Sequence, residues 1–136
     1  MDIIIAMANY LWVRVAAGLG LSAVALGAFG AHGLKDILVR HNSLGTWETA
    51  AHYHLIHAVA LLALAGSPFF KKHLATCFLV GVLIFSGSLY LLALTGQRWL
   101  GAVTPLGGVL LLLGWLGLAF TGQNPTAPFR FLRALV

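Results

Sequence analysis

Residues 74–94 read LATCFLVGVLIFSGSLYLLAL, an unbroken stretch without Lys, Arg, Asp or Glu. As a helix rising ~1.5 Å per residue it is about 31 Å long, which matches the ~30 Å hydrocarbon core of a bilayer. Three further apolar runs of about the same length surround it, Leu11–Ala31, Ala50–Phe70 and Ala102–Gly122. The expected fold is therefore all-α, an integral membrane four-helix bundle. It forms a single domain over residues 1–136, with spans near 11–31, 50–70, 74–94 and 102–122.

Composition agrees. Apolar residues make up 60% of the chain and charged ones 8%, against roughly 45–50% and 25% in an average soluble domain. A chain this small has too much surface to hide four such helices from water, so lipid is expected to be its main solvent. The net charge of +5 comes from eight Lys and Arg against three acids. These basic residues lie singly or in pairs between the runs, as topology signals and headgroup contacts do. No basic cluster is interleaved with exposed aromatics, so no nucleic-acid surface is expected. The lone Cys77 reads as a packing residue. The first run reads as a retained helix rather than a cleaved signal. It is too long, Asp2 and Asn9 stand where a basic leader would be, and Arg14 interrupts it.

The connection His32–Thr49 is broken by Gly33, Asn42, Ser43 and Gly45. Within it Leu34, Ile37 and Leu38 recur at helical spacing among Lys35, Asp36 and Arg40, which predicts a short amphipathic helix at the membrane interface. Asn124-Pro125 and Ala127-Pro128 stop the fourth helix, and Phe129–Arg133 reads as an interfacial anchor. Arg14, Lys71, Lys72, Arg130 and Arg133 fall on one side of the membrane, and Lys35, Arg40 and Arg98 on the other. The positive-inside rule then places both termini in the cytoplasm. Rows of small residues, Gly18/Ser22 and Ala23/Gly27/Ala31 among them, predict close helix packing within one chain or between chains.

The second run opens Glu48-Thr49-Ala50-Ala51-His52-Tyr53-His54-Leu55-Ile56-His57. Ionisable groups are costly in lipid, ~2.5–3.5 kcal/mol for a charge at the centre of a span, so this load needs an explanation. His57 lies ~13–14 Å deeper than Glu48. At ~100° per residue, Glu48 and His52 share one face, while Tyr53, His54 and His57 lie on another. Antiparallel topology brings His32, Ser86, Ser88, Tyr90, Thr104, Pro105 and Arg98 to the same end. The candidate ligand or proton site is thus His32, Glu48, His52, Tyr53, His54, His57, Ser86, Ser88, Tyr90 and Arg98.

Two readings stand. In the first, His54 and His57 hydrogen-bond Ser86, Ser88 or Tyr90 and fix the register of the bundle. In the second they bind a ligand, a proton or a metal, with His54 and His57 as metal ligands and His32 or Glu48 as a third. No cofactor is specified; haem and quinone stand beside metal as alternatives.

Gly27-Ala28-Phe29-Gly30-Ala31-His32-Gly33-Leu34, the Glu48–His57 stretch, Phe85-Ser86-Gly87-Ser88-Leu89-Tyr90 and Thr104-Pro105-Leu106-Gly107-Gly108 together resemble the YgdD-like small membrane proteins, the family called domain of unknown function 423. The likeness runs from about Arg14 to Gly122. It implies a four-span bacterial inner-membrane protein and no settled activity. The matching positions His32, Glu48, Tyr53, His54, His57, Ser86, Ser88, Tyr90, Thr104 and Pro105 all gather at the end that topology picks out.

The leading expectation is a non-enzymatic accessory or scaffold protein, partnered by the bilayer and by a larger membrane complex or a second copy. The alternative is a small transporter or channel component, or a His-based metal, haem or quinone site. The first span contains no acid to carry a proton cycle. Neither a serine elbow, nor a Cys–His pairing, nor a phosphate loop points to an enzyme.

Overall fold

The computed structural model describes the backbone of residues 2–121 and the side chains of residues 10–121. The described part is all helical, in the order α1 (Asp2–Ala31), α2 (Lys35–Arg40), α3 (Leu44–Ala65), α4 (Lys72–Thr95) and α5 (Leu100–Thr121). The expected stops at Asn124-Pro125 and Ala127-Pro128, the anchor at Phe129–Arg133, and the basic residues Arg130 and Arg133 lie outside the described residues.

Among the described residues, three segments are long and apolar enough to cross a membrane: Tyr10–Ala31, Lys72–Thr95 and Leu100–Thr121. α3 has 22 residues, as many as α5. It is set apart by its polar first half, where Glu48, His52, His54 and His57 dilute the apolar run. Its limits also differ from the expected 50–70. The helix starts six residues earlier because Trp47 and Ala50 are buried, at 2% and 0% exposure, against Leu38, Tyr90 and Ala93. It stops at Ala65 because Gly66-Ser67-Pro68 turns the chain, with Phe70 N–H donating to the Ser67 carbonyl (3.2 Å). Pro68 disfavours helical backbone at Ser67 as well. α4 ends on Gly96, whose φ of 68° is the left-handed cap that glycine adopts without strain.

The closest packing runs between chain neighbours: α1 on α3, α3 on α4, and α4 on α5. One apolar core crosses all four long helices and is built from residues such as Leu19, Leu61, Phe78, Val82 and Leu111. α4 and α5 touch backbone to backbone. A β-carbon on Gly107 would lie 2.8 Å from the Gly81 carbonyl oxygen and collide with the Phe85 nitrogen. Gly30 of α1 likewise makes room for the Trp47 indole. A β-carbon on Gly18, Gly20 or Gly27 would meet nothing within 4 Å among the described residues, so only part of the small-residue pattern of α1 serves close packing inside this chain.

α2 forms where the spacing of Leu34, Ile37 and Leu38 predicts it. Leu38 is fully buried on Trp47, Ala50, Tyr90 and Ala93, while Lys35, Asp36, Val39 and Arg40 are exposed. The short helix therefore packs over one end of the long helices. The turn after it is pinned to α4: Ser43 Oγ–H (2.8 Å) and His41 Nδ1–H (3.2 Å) both donate to the Ala93 carbonyl. That carbonyl sits in the last turn of α4, where the helix itself supplies no donor.

Candidate functional site

The polar residues of α3 divide as their helical spacing predicts. Glu48 and His52 are exposed, His54 and His57 are buried at 6% and 5% exposure, and Tyr53 is 42% exposed at the edge. With α3 running from Leu44 to Ala65, His54 falls close to the middle of the helix. His57 lies about 20 Å from its start and 12 Å from its end. The cluster thus reaches further along the helices than one end of them.

His54 bridges three helices. Its Nε2 lies 3.4 Å from Ser22 Oγ on α1, and its Nδ1 lies 3.4 Å from the Tyr90 hydroxyl on α4. Ser22 directs its own proton to the Gly18 and Leu19 carbonyls, both at 3.0 Å. Its oxygen is then left to accept, so the consistent pattern is a neutral ring. Nε2–H donates to Ser22, and Tyr90 O–H donates to Nδ1.

His57 has different partners from those expected. Trp115 Nε1–H, on α5, donates to His57 Nε2 at 3.1 Å. An indole nitrogen only donates, so Nε2 must accept and the ring proton must sit on Nδ1. From there it donates to the Tyr53 carbonyl, 2.8 Å away on the same helix. Aromatic rings enclose His57: Tyr53 stacks on it at 5.9 Å, and Phe78 and Trp115 lie at 5.9 and 6.1 Å. Ser86, Ser88 and Tyr90 make no hydrogen bond to it.

The remaining predicted residues sort themselves plainly. Ser88 and Thr104 do meet, hydroxyl to hydroxyl at 2.8 Å, and join α4 to α5. Ser86 is 1% exposed and its hydroxyl has no hydrogen-bond partner. His32 and Arg98 are exposed, and no ion pair forms among the described residues. Glu48 lines a small cavity of about 100 Å³ together with Gly27, Gly30, Ala31, Trp47 and Ala51. Among the described residues no group of three or more His, Cys, Asp and Glu side chains could hold a metal ion. The proposed metal pair, His54 and His57, is divided between different partners. A metal at either ring would have to displace a hydrogen bond already made inside the protein.

Several contributors were not marked by sequence. Trp47 donates its indole N–H to the Leu26 carbonyl at 2.9 Å and packs on Tyr90, ring centres 4.6 Å apart. Trp115, Ser22, His41 and Ser43 complete the polar contacts. The available signal was chemical. A Trp N–H, a Ser hydroxyl or a His ring inside lipid needs a partner, and each of these residues implied one.

Trp115 also divides a lipid-facing gap between α3 and α5. On one side is a cavity of about 400 Å³, lined by residues such as Tyr53, His57, Phe85 and Pro105. On the other is one of about 340 Å³, lined by residues such as Ala60, Ala63, Phe69 and Leu118.

Apolar helices of membrane-spanning length, with the buried histidines hydrogen-bonded inside the protein, define a small helical membrane protein. The sequence profile of a family described as a protein of unknown function (DUF423) matches residues 26–108, and the chain belongs to that family. Its relatives are called UPF0382 membrane proteins. One from Staphylococcus epidermidis is 46% identical over 100 residues, covering 71% of this chain and 81% of its own. One from Haemophilus influenzae is 42% identical over 105 residues, covering 74% and 84%. One from Schizosaccharomyces pombe is 38% identical over 109 residues, covering 75% and 92%. No solved structure matches.

Proposed function

We propose that this chain is a non-enzymatic accessory protein of a larger membrane assembly, built as a four-span bundle. Both termini would face the cytoplasm and α2 would rest at the opposite interface. The observation that carries this reading is that His54 and His57 use both ring nitrogens on partners within the chain. Polar groups arranged in this way fix helix register and leave no free ligand or proton acceptor at those rings. α3 fits as a fourth span because it equals α5 in length, lies between α1 and α4, and has its buried polar groups matched by them. Exposed apolar side chains along the outer helices, Leu21, Val24, Leu112 and Leu116 among them, are available to lipid or to a partner.

The test is co-purification after crosslinking in the native membrane, followed by deletion of the gene. The expected result is a defined membrane partner in stoichiometric yield whose abundance falls on deletion. Recovery of the chain alone, with no change in any other membrane protein, would refute the accessory role.

A cation or proton relay is the competing reading, and the small cavity that the exposed Glu48 lines favours it. It requires pH-dependent flux in liposomes that Glu48→Gln abolishes. On the accessory reading, wild type and Glu48→Gln give the same background leak.

A further inference from the structure

The α3–α5 gap is open to lipid, yet its two halves have different surroundings. The half beyond Trp115 follows α3 from Ala60 to Leu64, about 6 Å, and continues past Ser67 and Phe69 of the following turn, with Thr121 on the α5 side. At its inner end it stops at Trp115, held across the gap by the hydrogen bond to His57 (3.1 Å). Its walls, apart from Ser67 and Thr121, are carbon side chains. Just past Phe69 the chain turns and presents Lys71 and Lys72, both exposed, with His73 beside them. Among the described side chains, the acids Asp36 and Glu48 both lie at the opposite end of the long helices. The turn at this end of the apolar slot therefore carries two exposed lysines two and three residues past Phe69, with no carboxylate at that end among the described side chains.

We infer that this slot is a binding site for an anionic phospholipid, with an acyl chain lying between α3 and α5 up to Trp115 and the phosphate against Lys71 and Lys72. Charge complementarity selects the occupant. A hydrocarbon chain alone would fit many slots on a membrane protein, but this one has a basic pair just past Phe69 at one end and Trp115 across the other. A zwitterionic lipid offers the same chain and loses the net attraction. The inference takes α3 as crossing the bilayer, which thiol labelling of the two ends of α3 reports independently of any lipid.

The test is native mass spectrometry of the full chain, equilibrated in detergent with equal amounts of phosphatidylglycerol and phosphatidylcholine carrying identical acyl chains. Wild type is expected to retain one phosphatidylglycerol in clear preference to phosphatidylcholine. Each basic residue near a headgroup strengthens anionic-lipid binding roughly fivefold, so Lys71→Gln/Lys72→Gln should lower phosphatidylglycerol retention about thirtyfold and erase the preference. Ala63 is exposed on the slot wall, and Ala63→Phe should fill the slot and lose the retained lipid at an unchanged melting temperature. Equal retention of the two lipids by wild type would overturn the assignment. So would undiminished phosphatidylglycerol on either variant, and the wild-type comparison needs no variant to fold.

Discussion

His57 shows how a polar side chain can sit deep among apolar helices without a charge. Trp115 supplies the donor that Nε2 needs, and the Tyr53 carbonyl accepts from Nδ1. Trp115→Phe keeps most of the ring volume and leaves Nε2 without its donor. Hydrogen bonds between membrane helices average ~0.6 kcal/mol, with an upper value of ~1.7. The variant should lose stability within that range, read from unfolding in detergent. Ser86 is the opposite case, because its buried hydroxyl has no partner to lose. Ser86→Ala should unfold within about 0.5 kcal/mol of wild type or later, since burying an unpaired hydroxyl is itself unfavourable. The pairing His54–Tyr90 was among those legible in the sequence, because antiparallel neighbours bring fixed depths together. His57–Trp115 was not. It joins helices that are not chain neighbours, and depth alone does not say which way each helix is rotated.

At the scale of elements, the apolar runs located α4 and α5 to within about two residues of their observed ends, and the periodicity of Leu34, Ile37 and Leu38 located α2. α3 was placed too late in the chain. Hydropathy follows lipid contact, whereas its first two turns are stabilised by Trp47 and Ala50 against α2 and α4. The glycines divide in a way the sequence did not disclose. Gly107 brings α5 onto the α4 backbone, while Gly18 faces open space. Gly107→Ala forces α4 and α5 apart and should cost about 1–3 kcal/mol, as overpacking does. Gly18→Ala should leave monomer unfolding unchanged or make it slightly later, since alanine is the better helix former. Parallel melts of the two variants in the same detergent provide the comparison.

For the whole molecule, the decisive prediction concerns α3. In a Cys77→Ser background, single cysteines at Lys35 and Lys71, both exposed, should react with a membrane-impermeant thiol reagent from opposite sides of intact vesicles. Labelling from the same side would mean that α3 does not cross the bilayer. The even number of spans expected from sequence depends on this one helix, because three segments qualify on apolar length alone. What composition could not convey is that α3 replaces hydropathy with hydrogen bonds to its neighbours, a property of the assembled helices.

Packing between chain neighbours also bears on how the protein enters the membrane. Helices leave the ribosome in the order α1, α3, α4, α5, and each can dock on a predecessor already in place. The contacts of α1 with α3, Trp47 to Leu26 and His54 to Ser22, require no later part of the chain. The Tyr90 bond to His54 and the clamp of His41 and Ser43 on Ala93 become possible only once α4 has inserted. Trp115 comes last, so His57 waits for its donor until the final helix is synthesised. A nascent chain halted after Thr95 would leave His57 Nε2 without its donor, a feature by which membrane quality control could distinguish it from the finished protein.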